Sequence, residues 1–218
     1  MATASRRLRS ALADPAEKRS IGTRQRMHRW AMLRERFPQI DHMRVLDLGG
    51  TATHWIRSPA RPVSVVVMNL SLETSEVDWI TTVQGDACAP PPTIAREQFD
   101  LVYSNSVIEH VGGHARRCDF ADGVRALGSH HWVQTPYRYF PLEPHWLFPG
   151  LQFLPQKARA AIVPRWPLSP AHPTGREALS GVLETELLSR TEMEFYFPSS
   201  EVIAERFLLA TKSLIAVS

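Results

Sequence analysis

Met43-Arg44-Val45-Leu46-Asp47-Leu48-Gly49-Gly50-Thr51 is a short apolar run that two glycines close. A run of this length and composition predicts a buried strand of a parallel sheet. Glycine lets a backbone approach a ligand closely, and open α/β sheets bind ligands outside the carboxyl ends of their strands. We therefore predict a ligand-binding turn at Gly49 and Gly50. A tight turn that binds nothing is the alternative interpretation of the same glycines.

Further strands follow this run and alternate with helical segments. Short apolar and β-branched runs predict strands at 62–70, 80–84, 99–104, 130–134, 201–207 and 212–217. The alternation predicts an α/β fold, a Rossmann-like doubly wound sheet of seven mostly parallel strands with helices on both faces. Too few residues separate the last two strands for a parallel crossover, so we expect the last strand to be antiparallel.

The chain divides into a basic N-terminal region and a larger domain. Residues 1–36 hold ten Lys or Arg and three acidic residues, whereas the whole chain has a formal charge of +3. We predict a basic helical arm or lid over 1–36 and one domain over 37–218. Residues 136–175 contain nine of the 17 prolines. A long irregular stretch inside a compact domain is typical of a lid or binding loop, which we predict for this insertion.

The basic arm raises the question of nucleic acid or an acidic membrane surface as a partner. No aromatic residue interleaves its arginines before Trp30, so we interpret it as a solvated helical face and do not expect nucleic acid. No stretch reaches the roughly 18 apolar residues of a membrane span, and residues 1–20 lack the apolar centre of a signal peptide. Cys88 and Cys118 lack metal-type spacing and predict reduced thiols. We expect a cytoplasmic protein, with a homodimer as one option.

The order of motifs along residues 40–218 resembles that of the class I S-adenosylmethionine-dependent methyltransferases. The run 47–50 resembles their first motif, and Gly85-Asp86-Ala87 resembles the motif whose acid accepts from the adenine amine. Asn69 ends the second predicted strand, where the family usually has an acid for the ribose hydroxyls. Residues 99–111, FDLVYSNSVIEHV, resemble the fourth-strand motif and the turn after it, and this block is the most specific of the four.

The resemblance implies S-adenosylmethionine as the cofactor. The residues to which it assigns cofactor binding are Asp47, Gly49, Gly50, Asn69, Leu70, Asp86, Ala87 and Asn105. Two departures stand out, since the family usually has further glycines at Thr51 and Thr53 and an acid at Asn69. An amide oxygen still accepts a hydroxyl proton, so we expect the same binding mode. The departures leave open a cofactor-binding module without catalysis.

Three side chains are candidates for catalysis: His145, Glu109 and His110. A hydroxyl acceptor must lose its proton to a base or have its oxygen polarised by a metal. His145 is the candidate base, because imidazole titrates near neutral pH. Glu109 and His110 resemble a metal-holding pair of some quinone and small-RNA 2′-hydroxyl methyltransferases, and with Glu143 and His145 they could hold Mg²⁺. Alternatively Glu109 caps a helix, His110 lines the cleft and His145 orders a proline-rich loop.

Aromatic and polar residues follow the fifth predicted strand. Phe140-Pro141-Leu142-Glu143-Pro144-His145 resembles a stretch of some sugar and lipid-linked methyltransferases of this class. Aromatic faces stack on sugar rings, while carboxylates accept from sugar hydroxyls, so we assign acceptor binding to Tyr137, Tyr139, Glu143 and Trp146. The predicted function is O-methylation of a small molecule, a sugar or polyol being favoured. The alternatives are a phenolic or quinone acceptor, an RNA 2′-hydroxyl and the non-catalytic module.

Overall fold

The computed structural model describes residues 21–170 and 172–218. The first 20 residues of the predicted arm lie outside this part of the chain. The main elements are α1 (Ile21–Arg36), β1 (Arg44–Leu48), α2 (Ala52–Ile56), β2 (Ser64–Asn69), β3 (Ile80–Gln84), α3 (Pro92–Ala95), β4 (Phe99–Asn105), α4 (His114–Leu127), β5 (Gly128–Pro136), β6 (Leu142–Glu143), β7 (Phe148–Pro149), α5 (Gln156–Ile162), α6 (Gly175–Leu183), α7 (Arg190–Tyr196), β8 (Glu201–Phe207) and β9 (Ala210–Val217).

Seven of these strands form one sheet in the order β3-β2-β1-β4-β5-β9-β8. The pairs β1–β2, β2–β3, β1–β4 and β4–β5 are parallel, whereas β9 runs antiparallel to both β5 and β8. The predicted fold class is therefore confirmed, including the antiparallel last strand. The short β8–β9 connection forces this direction, because a parallel return requires a crossover of a dozen residues or more.

The core lies in two layers, one on each face of the sheet. On one face α4 and α7 bury Phe120, Val124 and Met193 against strand residues such as Leu46. On the other face α1 and α2 bury side chains that include Trp30, Leu33 and Trp55. Successive residues of a strand point to opposite faces, which is why a continuous apolar run such as that of β1 suits a sheet covered on both sides.

The proline-rich stretch is more regular than predicted. It contains the β6–β7 ribbon and helix α5, which packs with α6 around a small core of its own. The expectation of an irregular segment is therefore wrong in part, because two of its prolines lie at the starts of helical elements. Pro155 is the N-cap of α5, and Pro164 is the second residue of a 3₁₀ turn, positions at which the missing N–H removes no hydrogen bond of the element.

The start of α7 matches the sequence pattern. Ser189 caps the helix with its side chain, which accepts from the Glu192 backbone N–H, while the Glu192 carboxylate accepts from the Ser189 backbone N–H at 2.7 Å. This reciprocal capping box satisfies two backbone donors that would otherwise lack partners at the helix start. The Ser-x-x-Glu sequence of residues 189–192, a pattern typical of helix N-termini, therefore marks the start of α7.

Helix α1 is anchored to the sheet by Arg29 and Trp30. The Arg29 guanidinium donates to the Glu205 carboxylate at 3.0 Å, and this acid is fully buried. Arg29 also donates to the side-chain oxygens of Asn105 and Gln134. Trp30 stacks on Tyr103 with ring centroids 5.8 Å apart. The expected solvated face is therefore wrong for this side of the helix, because its cation compensates a buried acid.

Among the helices of the described residues, none combines the length and the apolar character needed to cross a membrane.

The Arg29 anchor predicts a large difference between two arginine variants. R29M leaves the Glu205 carboxylate buried without its cation, so we expect the free energy of unfolding to fall by about 3 kcal/mol. R36M removes the exposed Arg36–Glu201 pair, with N and O atoms 3.6 Å apart, and should cost under about 1 kcal/mol. Urea denaturation measures both. Equal losses in the two variants would contradict the anchor.

Candidate active site

The turn after β1 is a left-handed glycine turn at the carboxyl edge of the sheet. Gly49 has a φ of +77°, and a Cβ built on it would lie 2.6 Å from the Val107 side chain. Its backbone N–H donates to the Met68 carbonyl at 2.7 Å, which ties the turn to β2. Both the backbone conformation and the contact with Val107 therefore require glycine at this position.

Asp47 supports the turn from beneath. Its side chain is fully buried and accepts from the Trp55 indole N–H at 2.7 Å. A Cβ on Gly50 would lie only 1.8 Å from the same carboxylate oxygen, so Asp47 dictates the second glycine. Burial raises the pKa of Asp47 to about 7. This buried side chain packs against the predicted cofactor turn and restricts the second residue of the turn to glycine.

Asn69 links the ends of β1 and β2. Its amide nitrogen donates to the carbonyl of Gly50 at 2.9 Å and to that of Gly49 at 3.3 Å. Its amide oxygen accepts from the Leu70 backbone N–H at 2.7 Å, and the Leu70 side chain lies exposed beside it. An amide oxygen has two lone pairs, so one remains for a ligand hydroxyl.

Asp86 lies after β3 with Ala87 next to it, and Arg116 of α4 holds its carboxylate. The guanidinium donates to the two carboxylate oxygens at 2.9 and 2.7 Å, and the Cys88 backbone N–H donates to one of them at 2.9 Å. The hydrogen bonds from Arg116 lower the pKa of Asp86, so the acid is ionised at neutral pH. Arg116 lies 30 residues away in sequence, and no local signal identifies it.

These groups fit the polar parts of S-adenosylmethionine. Asn69 and Asp86 follow the adjacent strands β2 and β3, and both keep lone pairs that face partly exposed surroundings. A ribose diol and an adenine amine are the donors that such acceptors would take. Asn105 ends β4, and its amide oxygen accepts from Arg29, so α1 fixes one wall of this edge.

A strained turn places the predicted catalytic residues. Ser106, a non-glycine residue with a φ of +59°, follows β4. Its hydroxyl donates to the Gln134 side chain at 3.0 Å and its backbone N–H to the Gln134 carbonyl at 2.9 Å. Such backbone conformations persist where the surroundings hold them, often at functional sites. The turn directs Glu109 and His110 toward the segment after β5.

His110 and His145, which the sequence offered as members of one possible metal site, lie side by side there. The Nε2 atoms of His110 and His145 lie 3.1 Å apart. His145 Nδ1 lies 2.7 Å from a carboxylate oxygen of Glu143, and the other oxygen of this acid accepts from the Trp146 backbone N–H at 2.9 Å. Glu143 therefore orients the His145 ring. Burial lowers the pKa of the His110 imidazole below its ordinary value.

Glu109 completes this cluster from below. The side chain is 1% exposed, and one carboxylate oxygen accepts from the Thr135 hydroxyl at 2.9 Å. The other oxygen is buried and has no hydrogen-bond partner among the described residues. One ligand atom from each of Glu109, His110 and His145 lies within 4.8 Å of the others. Glu109 contacts Thr135 of β5 and so does not serve as a helix cap.

A cavity of about 810 Å³ opens beside the cluster. Among the predicted acceptor residues, Glu143 and Trp146 line it, whereas Tyr137 and Tyr139 do not. Tyr139 is 57% exposed and packs on Phe153 and Tyr137, so the structure directs these rings away from the cavity. The other residues that line the cavity come from α4 and its N-cap, α5, α7 and the segments after β5, after β7 and before α7: Gly113, His114, Arg117, Arg138, Gln152, Arg159, Thr185, Glu186, Leu187, Thr191, Glu192, Phe195 and Tyr196.

The buried Asp47 predicts a pH-dependent stability. Its folded pKa near 7 exceeds its ordinary value of 3.8, so the folded state binds the proton more tightly than the unfolded state. Stability then falls as the pH rises from about 4 to 7. D47N removes this loss, and its Tm relative to wild type should rise between pH 5 and 8. D100N is the control, because Asp100 lies on the exposed end of β4. If the Tm difference between D47N and wild type does not change between pH 5 and 8, the raised pKa of Asp47 is contradicted.

The comparisons with known proteins rest on structure, since no protein-family model and no curated protein matches this chain. DhpI in complex with SAH (S-adenosylhomocysteine) is 13% identical, with a TM-score of 0.56 over 98% of this chain and 93% of that chain. An S-adenosylmethionine-dependent methyltransferase from Mesorhizobium loti is 14% identical, with a TM-score of 0.54 over 86% and 95%. A Rhodobacter sphaeroides protein, provisionally described as a zinc-dependent alcohol dehydrogenase, is 12% identical, with a TM-score of 0.56 over 87% of both chains.

At such identities the likeness concerns the fold. The sheet order with its single antiparallel strand and the glycine turn after β1 agree with the fold that the sequence motifs predict. The chain therefore has the Rossmann-like fold of the class I S-adenosylmethionine-dependent methyltransferases.

Proposed function

We propose that this protein is an S-adenosylmethionine-dependent methyltransferase that acts on a hydroxyl of a small molecule. The observation that carries the proposal is the Glu143–His145–His110 cluster beside the end of β4. In this fold ligands bind at the carboxyl edge of the sheet, so the cluster borders the edge at which the cofactor would lie. A base at that position suits an oxygen acceptor, which must give up a proton.

We propose that residues at the same carboxyl edge of the sheet bind the cofactor. We assign the ribose to Asn69 and the adenine amine to Asp86, whose carboxylate also accepts from Arg116. The Gly49–Gly50 turn would approach the methionine end, with Asp47 beneath it. When bound, S-adenosylmethionine supplies the sulfonium methyl group that the acceptor oxygen displaces.

His145 is the base in this scheme. With Glu143 on Nδ1, the ring carries its proton there and presents Nε2 as an acceptor. A substrate hydroxyl at Nε2 gives its proton to the ring, and the Glu143 carboxylate then stabilises the imidazolium that forms. The Nε2 atom of His110 lies 3.1 Å from the Nε2 atom of His145, so a substrate hydroxyl that binds there displaces His110.

A divalent metal at the same cluster is the alternative way to activate the hydroxyl. The approach of two imidazole Nε2 atoms to 3.1 Å, next to a buried carboxylate oxygen without a partner, favours this alternative. Glu109, His110 and His145 would hold the ion, and Glu143 would orient His145 from behind, as carboxylates do for metal-binding histidines. Two imidazoles and one carboxylate suit Mn²⁺ or Zn²⁺ better than Mg²⁺, which prefers oxygen ligands.

A sugar or similar polyol is the acceptor that we favour. The cavity beside the cluster is lined by the aromatic side chains of Trp146, Phe195 and Tyr196 together with carboxylates and guanidinium groups. Aromatic rings suit the apolar faces of a sugar ring, and the charged groups suit its hydroxyls. We further propose that helix α1, the described part of the arm, and the segment 136–170 cover the cofactor and acceptor sites.

Cofactor binding tests the assignment of Asp86. D86N should weaken S-adenosylmethionine binding by about 1–3 kcal/mol, because it removes a charged acceptor. R116Q breaks the same ion pair but keeps the carboxylate, so we expect its affinity to stay within about twofold of wild type, since exposed pairs contribute little. Isothermal titration calorimetry measures both. Wild-type affinity in D86N would remove Asp86 from the cofactor site.

The role of the cluster is tested by kinetics in the presence and absence of metal. Over a library of saccharides and phenols, H145A should lower kcat by about 10²–10⁴-fold, because a positioned base contributes that much, while cofactor affinity is retained. H172A is the matched control, since His172 lies exposed and outside the cluster.

Chelation separates the two mechanisms for His145. If His145 acts as the base alone, excess EDTA leaves turnover unchanged; if a metal is held, EDTA abolishes turnover and Mn²⁺, Zn²⁺ or Mg²⁺ restores it. Wild-type turnover by H145A would reject both roles. A preference for phenols over every saccharide would reject the proposed acceptor class.

A further inference from the structure

We propose that the acceptor carries an anionic group, a phosphate or a carboxylate, and that Arg159 and Arg117 bind this group in the cavity beside the cluster. This inference rests on the proposed function, since it names the class of its acceptor. The cavity volume of about 810 Å³ suits a small organic ligand.

Arg159 is the first support. It lies on α5 and lines the cavity, and its Nε is buried without a hydrogen-bond partner within the described residues. No ion pair of the described part of the chain involves its guanidinium. A buried donor that lacks a partner is costly unless a ligand supplies the acceptor, and a guanidinium matches the paired oxygens of a phosphate or carboxylate.

Arg117 of α4 also lines this cavity and is the second observation behind the proposal. Its side chain is 5% exposed, and its Nε also lacks a hydrogen-bond partner among the described residues. The guanidinium contacts the Glu186 carboxylate at 2.6 Å, but that acid is 51% exposed. Water can solvate an acid so placed, and a ligand anion can then take its position on Arg117.

The start of α4 adds favourable polarity to the same wall. Gly113 and His114 line the cavity, and this 14-residue helix has no side-chain cap at its N-cap Gly113. Backbone N–H groups at a helix start attract anions. The other carboxylates of the wall do not offset this, because Glu143 contacts His145 and Glu192 contacts Arg138 and Ser189.

The cavity also connects this anion site to the reacting atoms. Glu143 lines the cavity and contacts His145, and Thr185 lines it with its hydroxyl 3.5 Å from His110 Nδ1. Gln152 also lines the cavity, and its buried side-chain oxygen, which has no partner in the described residues, can accept from a ligand hydroxyl. An acceptor held by its anion would thus extend its hydroxyls toward the cluster.

Calorimetry with defined probes tests the inference without any methyl transfer. The probes are glucose 6-phosphate, glucuronate, inorganic phosphate and glucose. We expect at least one sugar anion to bind about tenfold or more tighter than glucose, and R159Q to lose most of that advantage, because charged hydrogen bonds are strong. R165Q is the matched control, since Arg165 lies exposed in the same segment and donates to the Ala161 carbonyl. The affinities of glucose 6-phosphate and glucuronate, compared with each other, distinguish recognition of a phosphate from recognition of a carboxylate.

A second variant keeps the test independent of the folding of R159Q. E186Q removes the competing acid from a half-exposed position, so it should tighten binding of the preferred anion. Equal binding of glucose and both sugar anions, equal losses in R159Q and R165Q, or weaker binding in E186Q would overturn the inference. Because no turnover is measured, these outcomes are separate from failure of the proposed methyl transfer, which would leave anion binding intact.

Discussion

The parallel pairing of β1 with β2 and β4 is the constraint on which the rest of this structure depends. It brings the ends of the strands to one edge, where Gly49, Asn69, Asp86 and Asn105 lie on neighbouring strands. The edge is crowded, and the buried Asp47 carboxylate beneath the turn leaves room only for glycine at Gly50. The site therefore follows from backbone geometry before any ligand is considered.

Several polar groups that are buried without hydrogen-bond partners lie at this edge and around the neighbouring cavity. In the described residues, buried polar atoms without hydrogen-bond partners include those of Asp47, Glu109, Arg117, Gln152 and Arg159. The first supports the β1 turn, the second lies in the histidine cluster, and the other three line the cavity. Buried polar atoms are normally hydrogen-bonded, so such a concentration is typical of a functional site and its strain.

Much of the stability of this arrangement depends on contacts that also shape the site. Arg29 compensates the buried Glu205 and at the same time fixes Asn105. Gln134 of β5 holds the strained Ser106 turn that follows β4. Because each of these side chains joins two elements, a change at one of them alters both folding and the geometry of the edge.

The amino-acid sequence by itself determined the sheet, its antiparallel last strand, the N-cap of α7 and the edge at which the candidate residues lie. These features follow from local periodicity, turn residues and connection length, all of which depend on residues that are close together in the sequence. Only the tertiary structure brought His110 and His145 together across 35 residues, joined Arg29 to Glu205, and turned Tyr139 to solvent while Arg117 and Arg159 lined the cavity. The reason is physical: a pattern along the chain records whether a residue is buried, but which distant side chain compensates a buried charge is decided by how the helices pack on the sheet.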